Sequence, residues 1–229
     1  MRRRTLLVTL AFVASPALGQ IPPAAPPAPP PAVANVFVSL TTDAGAITVE
    51  LERAKAPITV GNFLRYVDQK RLDNTTFYRA TKVAAGYGLI QGGVRNDPKK
   101  LLPPIKLEPT TVTGLTHASG TLSMARGGPP NSATADFFIT IGTMKSMDGD
   151  PTQAGDDALG YAAFGHVVSG MDVVNKILES PTSPTEGEGV MKGQMLAPKI
   201  RIITARRVPA PPAEPAASPA AAATPPPAP

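Results

Sequence analysis

Apolar and polar residues alternate through VFVSLTTDAGAITVEL, residues 36–51, and the alternation breaks at Thr42-Asp43-Ala44-Gly45. Ile47, Val49 and Leu51 share one face of the second run, so the stretch predicts two antiparallel strands joined by a short turn. The period then changes. From 59 to 69, Val60, Phe63, Leu64 and Val67 recur at helical spacing behind Pro57, predicting an amphipathic helix with Thr59 as its cap. Short strands are expected at 75–79, 89–92, 120–126 and 136–142. A polar surface loop follows at 145–160, then a strand at 161–168. Val173, Val174, Ile177 and Leu178 line one side of a second helix, and Ile200, Ile202 and Thr204 alternate in a closing strand. Seven or eight short strands with two widely separated helices do not make repeated strand-helix-strand units. They predict an all-β barrel or closed sandwich with helical covers.

Both ends fall outside this pattern. Arg2, Arg3 and Arg4 precede an apolar run from Leu6 to Ala14 and small residues to Gly19, the three regions of a secretory signal, too short for a stable membrane span. Arg3-Arg4-Thr5-Leu6-Leu7 also fits the twin-arginine pattern. The expectation is a signal at 1–19 and a periplasmic protein, with an uncleaved anchor as the lesser alternative. Residues 21–32 carry seven prolines and residues 209–229 carry nine, sixteen of the chain's 28. Such segments favour extended polyproline II and have little to bury, which marks 20–34 as a linker and 209–229 as a tail. One domain remains, at 35–208, long enough for a large single core.

Charge and cysteine content narrow the functional classes. Taking the three signal arginines from 22 basic residues leaves 19 against 17 acidic ones, and no Lys/Arg cluster is interleaved with aromatics, so nucleic acid is not an expected partner. Cysteine is absent, which excludes disulfides, iron–sulfur clusters and thiol nucleophiles. Ser123 and Ser132 have no histidine at a recognisable triad spacing, and His117 and His166 read as structural or surface residues. Asp148, Asp150, Asp156 and Asp157 do not follow the order of a calcium loop and read as a solvated acidic stretch. Gly127-Gly128 lacks the Lys-Ser/Thr of a phosphate loop. No metal or cofactor is expected.

The residues left for chemistry are an arginine and an amide. Arg79 follows Phe77 and Tyr78 in a predicted strand, where it either faces solvent or directs its planar fork into a concave apolar surface. Gln91 lies between Ile90 and Gly92 and either satisfies a neighbouring backbone group or orients a bound peptide. Of the consecutive Phe137 and Phe138, one belongs in the core and the other lines a second surface.

Taken in order, TTFYR, LIQGG, GTLSMAR, residues 131–139, GYAAFG and VVSGMDVVNKI closely resemble the cyclophilin-type peptidyl-prolyl cis-trans isomerases, particularly their exported bacterial branch. The resemblance spans 37–208. It implies a closed eight-stranded antiparallel barrel capped by two α-helices, with the active groove on the barrel's outer surface. It also implies Arg79 as catalytic residue, Gln91 as groove glutamine, Ala125 as substrate contact and Phe138 as the proline pocket. Leu89 stands in the methionine position beside the glutamine, Met147 in the leucine position of the later loop and Tyr161 in the last pocket position. Implied partners are proline-containing unfolded or extended polypeptides, and a monomer is the expected state.

The chain departs from the family pattern at several points. Eleven residues separate Arg79 from Gln91 where seven are usual. A groove aromatic is replaced by Gly88, with Tyr87 as its substitute, and Ser146 stands at an aromatic position of the later loop. Asp136 replaces the usual glutamine and brings a carboxylate that could attract Arg79 or Arg126. These changes leave a non-catalytic or weakly catalytic proline-peptide-binding or chaperone module of the cell envelope as the alternative to an isomerase.

Overall fold

A computed structural model describes residues 34–95 and 97–211. The expected signal, the linker up to residue 33 and the tail from 212 lie outside the described residues. The elements run β1 (Val36–Thr42), β2 (Gly45–Leu51), α1 (Pro57–Asp68), β3 (Thr75–Ala84), β4 (Tyr87–Gly93), α2 (Thr110–Thr113), β5 (Thr121–Met124), β6 (Phe137–Ile141), β7 (Ala162–Ser169), α3 (Met171–Leu178), β8 (Thr182–Ser183) and β9 (Met195–Val208). The strand order β1-β2-β7-β5-β6-β4-β3-β9 is closed by pairing of β9 with β1, every ladder being antiparallel. Eight strands therefore form a closed barrel. The two-residue β8 pairs only with the start of β9.

Alternation fills the barrel interior with Val38, Leu40, Ile47, Val49, Phe77, Ile90, Leu122, Phe137, Ile139 and Phe164. Helix α1 begins just beyond Leu51 at one end of β2 and inserts Phe63 between Phe137 and Phe164, at ring separations of 5.4 and 5.3 Å. At the other end of β2, α3 sets Val173 against Gly45. The two helices thus cover opposite ends of the barrel.

Several elements differ from the sequence expectation. Helix α1 starts at Pro57, and Thr59 is not its cap. The Glu108 carboxylate accepts from the backbone N–H groups of Ile58 and Thr59 at 3.0 and 2.7 Å and from the Thr59 hydroxyl, so a residue fifty positions away satisfies the free donors of the first turn. The hairpin β3–β4 stays paired out to Ala84 and Tyr87, turning at Gly86, so the extra residues between Arg79 and Gln91 lengthen both strands beyond the expected 75–79 and 89–92. Strand β9 begins at Met195, ahead of the alternating Ile200, Ile202 and Thr204, because Pro198 hides its pattern and the residues between Met195 and Ile200 are taken up by a register shift opposite Phe77 and Arg79. The 145–160 stretch contains two short 3₁₀ turns, and two more form at Pro130–Ser132 and Gly189–Met191.

Candidate active site

The site grows from one row of cross-strand neighbours. Arg79 on β3 faces Met195 on β9 and Gln91 on β4, Gln91 faces Phe138 on β6, and Phe138 faces Ser123 on β5. Opposed residues of an antiparallel ladder project from one face, so the row stands on the outer wall of the barrel, one step out of phase with the core-facing Phe137. Strict alternation would put Arg79 on the inner side with Phe77. A β-bulge prevents this: Phe77 pairs with Gly92 and Arg79 with Gln91, leaving Tyr78 as the extra residue. Tyr78 and Arg79 therefore both point outward, while Phe77 and Ala80 belong to the core.

A directed chain of hydrogen bonds orients the polar half. Arg79 Nε and Nη2 donate to Gln194 Oε1 at 2.9 and 2.7 Å, and Nη1 donates to Gln91 Oε1 at 3.0 Å. Gln91 Nε2 donates to the Tyr78 hydroxyl at 2.7 Å, which donates to Asp136 Oδ2 at 2.8 Å. The Arg95 backbone N–H donates to the other Asp136 oxygen at 2.8 Å. Burial pulls the Arg79 pKa below its ordinary value, yet a guanidinium starts so high that it stays charged. Burial, reinforced by Asp136, pushes the Tyr78 phenol above its ordinary value, so its hydroxyl keeps its proton and donates.

The apolar half is a separate small cluster outside the barrel. Leu89, Phe138 and Met144 are buried together, with Tyr87, Ala125, Met147 and Tyr161 packed around them. Tyr161 meets Phe138 edge to face at 5.4 Å, and the His117 imidazole stacks on Phe138 at 5.8 Å and 13°. His117 is fully enclosed, with Nδ1 2.6 Å from Asp148 Oδ1 and Nε2 2.9 Å from Ser123 Oγ. Burial lowers its pKa against the opposing pull of Asp148, which leaves a neutral ring donating from Nδ1 and accepting at Nε2. The fold brings Ser123, His117 and Asp148 into contact, a proximity that their spacing in the sequence does not show. Ser123 is itself 0% exposed, so its hydroxyl meets no outside substrate and the trio instead fixes the floor beneath Phe138.

Other expectations also change. Asp136 binds Tyr78 and the Arg95 backbone, and neither Arg79 nor Arg126, whose guanidinium is taken by the carbonyls of Gly127, Gly128, Asp156 and Gly160. Gly88 does not open a gap in the groove. A Cβ there would lie 2.1 Å from the Thr81 carbonyl oxygen and 3.2 Å from Leu178 Cδ1, so the position faces α3. Tyr87 joins the apolar cluster and donates its hydroxyl to the Thr143 carbonyl at 3.1 Å. Ser146 is exposed, and Met144 and Met147 supply the apolar wall on that side. A cavity of about 600 Å³ adjoins the row, lined by Tyr78, Gln91, Arg95, Ala125, Arg126 and Asp136 among others. Among the described residues no group of three or more His, Cys, Asp and Glu could hold a metal ion.

An arginine and a glutamine on the outer wall of a closed barrel, beside an enclosed phenylalanine, can be compared with known proteins. The family model for the cyclophilin type peptidyl-prolyl cis-trans isomerase/CLD matches residues 37–206. The chain belongs to the cyclophilin family.

Relatives agree with this assignment. The peptidyl-prolyl cis-trans isomerase of Acinetobacter baylyi is 38% identical over 152 residues, covering 66% of this chain and 77% of that protein. Peptidyl-prolyl cis-trans isomerase A of Dickeya dadantii is 39% identical over 153 residues, covering 66% and 75%. A crystal structure of a cyclophilin type peptidyl-prolyl cis-trans isomerase from Cryptosporidium parvum superposes with a TM-score of 0.61 over 78% of this chain and 100% of that one; at 23% identity this is a likeness of fold. The activity of this cyclophilin is peptidyl-prolyl cis-trans isomerisation.

Sequence reasoning missed four residues around its groove: Gln194, Tyr78, Met144 and His117. Gln194 sits in a Gly- and Glu-rich segment with no periodic signal, and Tyr78, which alternation places outward beside core-facing Phe77, reads as an ordinary strand aromatic. His117 and Met144 lie in connecting segments whose packing depends on the closed barrel. Only the Met144-x-x-Met147 spacing offered a local hint.

Proposed function

We propose that this cyclophilin is exported and isomerises Xaa-Pro bonds of envelope proteins on the outer wall of its barrel, with Arg79 acting on the bond. The amide resists rotation by about 18–20 kcal/mol because twisting breaks its resonance. As conjugation is lost, the proline nitrogen gains a lone pair that a guanidinium N–H can meet. Phe138, Leu89 and Met147 hold the proline ring, with Tyr87 and Tyr161 beside it, while Gln91 and the backbone at Ala125 anchor the flanking peptide. Asp136 acts at one remove, by orienting Tyr78 and through it Gln91. Only donation that strengthens at the twisted geometry accelerates rotation.

The observation that carries this reading is the side-by-side placement of Arg79, Gln91 and Phe138 on three adjacent strands. Export is supported by the arginines and apolar run at the start of the chain. No helix among the described residues is long and apolar enough to cross a membrane. A periplasmic monomer that speeds the slow proline-limited steps of folding fits these features. The test is the cis-to-trans relaxation of a short Xaa-Pro peptide. The mature protein accelerates it, and Arg79→Ala lowers kcat/KM by roughly 10²- to 10³-fold. An unchanged rate in the variant removes Arg79 from the mechanism.

A further inference from the structure

A guanidinium carries five N–H donors and rotates freely about its side-chain bonds unless something holds it. In this protein three of the five are engaged, Nε and Nη2 by Gln194 and Nη1 by Gln91. One N–H remains on each terminal nitrogen. Gln194 Oε1 also accepts from the Thr81 hydroxyl at 2.7 Å, so one amide oxygen gathers three donors from β3.

The direction of that amide is itself determined. Gln194 Nε2 donates to the Val190 carbonyl at 2.8 Å, and its backbone carbonyl accepts from the Ala80 N–H at 2.9 Å. Flipping the amide would aim an NH₂ group at three donors and an oxygen at a carbonyl, so Oε1 has one stable orientation, toward Arg79. Gln194 is not on the catalytic strands. It closes the segment between β8 and β9, directly ahead of Met195, the residue paired with Arg79.

We propose that Gln194 is the positioning residue of Arg79. It locks the Nε edge of the guanidinium against the barrel wall, so that the free N–H groups on the terminal nitrogens face the bound peptide. Gln91, engaged by both Arg79 and Tyr78, fixes the opposite side. The inference rests on the isomerase reading, with Arg79 as the acting group, and assigns a role to a segment outside the groove. Arg79 can still reach the peptide without Gln194, but it samples more orientations, and the loss falls on turnover more than on binding.

The test compares the mature wild type with Gln194→Met, which keeps length but removes the acceptor, and Gln194→Glu, which keeps an accepting oxygen. Turnover of an Ala-Pro peptide, its dissociation constant, the thermal midpoint and the ¹H–¹⁵N signal of Arg79 Nε–H are measured for each. Gln194→Met is expected to lower kcat roughly 10- to 100-fold while the dissociation constant moves less than about threefold. Its Nε–H signal, slowly exchanging in the wild type, is lost to solvent exchange, and Gln194→Glu recovers both signal and turnover above the Met variant. Wild-type turnover in Gln194→Met, parallel loss of affinity and turnover, or a Glu variant as slow as the Met variant overturns the proposal. If the wild type itself fails to turn over, the isomerase reading falls and the Nε–H signal still decides: persistence in Gln194→Met overturns the positioning role, and loss with recovery in Gln194→Glu supports it.

Discussion

Phe137 and Phe138 are neighbours in the chain and belong to different parts of the molecule. Phe137 packs edge-on against Phe63 and Phe77 inside the barrel, at 5.4 and 5.7 Å, and is sealed there by α1. Phe138 lies on the outer wall between Tyr161 and His117, within a cluster of few residues beside a cavity. The inner face is closed packing, in which each ring is a neighbour's wall. The outer face is apolar surface with polar groups beside it and room for a ligand. One strand thus serves the core on one side and the proposed groove on the other by the two-residue period of its side chains, and the bulge at Tyr78 brings Arg79 to the outer side.

This contrast can be broken most forcefully at Phe137. Phe137→Ala leaves a cavity under α1 and is expected to cost about 3–5 kcal/mol in denaturant unfolding, with per-molecule activity intact in the fraction that stays folded. Phe138→Ala reverses the weighting. It costs roughly 2 kcal/mol of stability, because its cluster is small, and lowers kcat/KM roughly 10- to 200-fold by removing the ring pocket. Equal stability losses in the two variants would show that the faces are energetically alike.

Smaller perturbations sharpen the same contrast. Glu108→Gln weakens the charged acceptor at the start of α1 and is expected to cost about 1 kcal/mol without altering kcat/KM, as suits a contact that serves only the plug of the inner face. The outer face also carries a buried titratable group, His117. The His117 pKa is lower in the folded protein than in the unfolded chain, so the unfolded state takes up the proton first. The associated stability is fully present above about pH 6.5 and is lost as the pH falls through the lower folded-state value. Denaturant midpoints from pH 8 to pH 5 measure this slope, and His117→Gln flattens it.

The barrel was legible because alternation and helical spacing are local: the first hairpin, α1, β6 and α3 each announce themselves within a dozen residues. The division of labour between Phe137 and Phe138 follows from strand geometry alone, although which ring faces inward does not. Residues that depend on distant partners were hidden. Glu108 caps a helix fifty residues upstream, Gln194 reaches Arg79 across 115 positions, and His117 joins Ser123 and Asp148 only when the 145–160 segment folds back. Asp136 was visible as a departure, but its partner was not, because the meeting of Tyr78 on β3 with Asp136 just ahead of β6, 58 positions away, is set by the closed sheet.

The central claim is that Arg79, on the outer wall, acts on the twisted bond and not merely on peptide affinity. Its most direct test is the cis–trans exchange rate of an Xaa-Pro peptide while bound, measured by NMR exchange spectroscopy at saturating protein for wild type and Arg79→Ala. The account predicts that the variant binds the peptide within about tenfold of wild type while bound-state exchange slows by at least roughly 100-fold. Exchange at the wild-type rate in the bound variant would contradict it and move the chemistry away from this arginine.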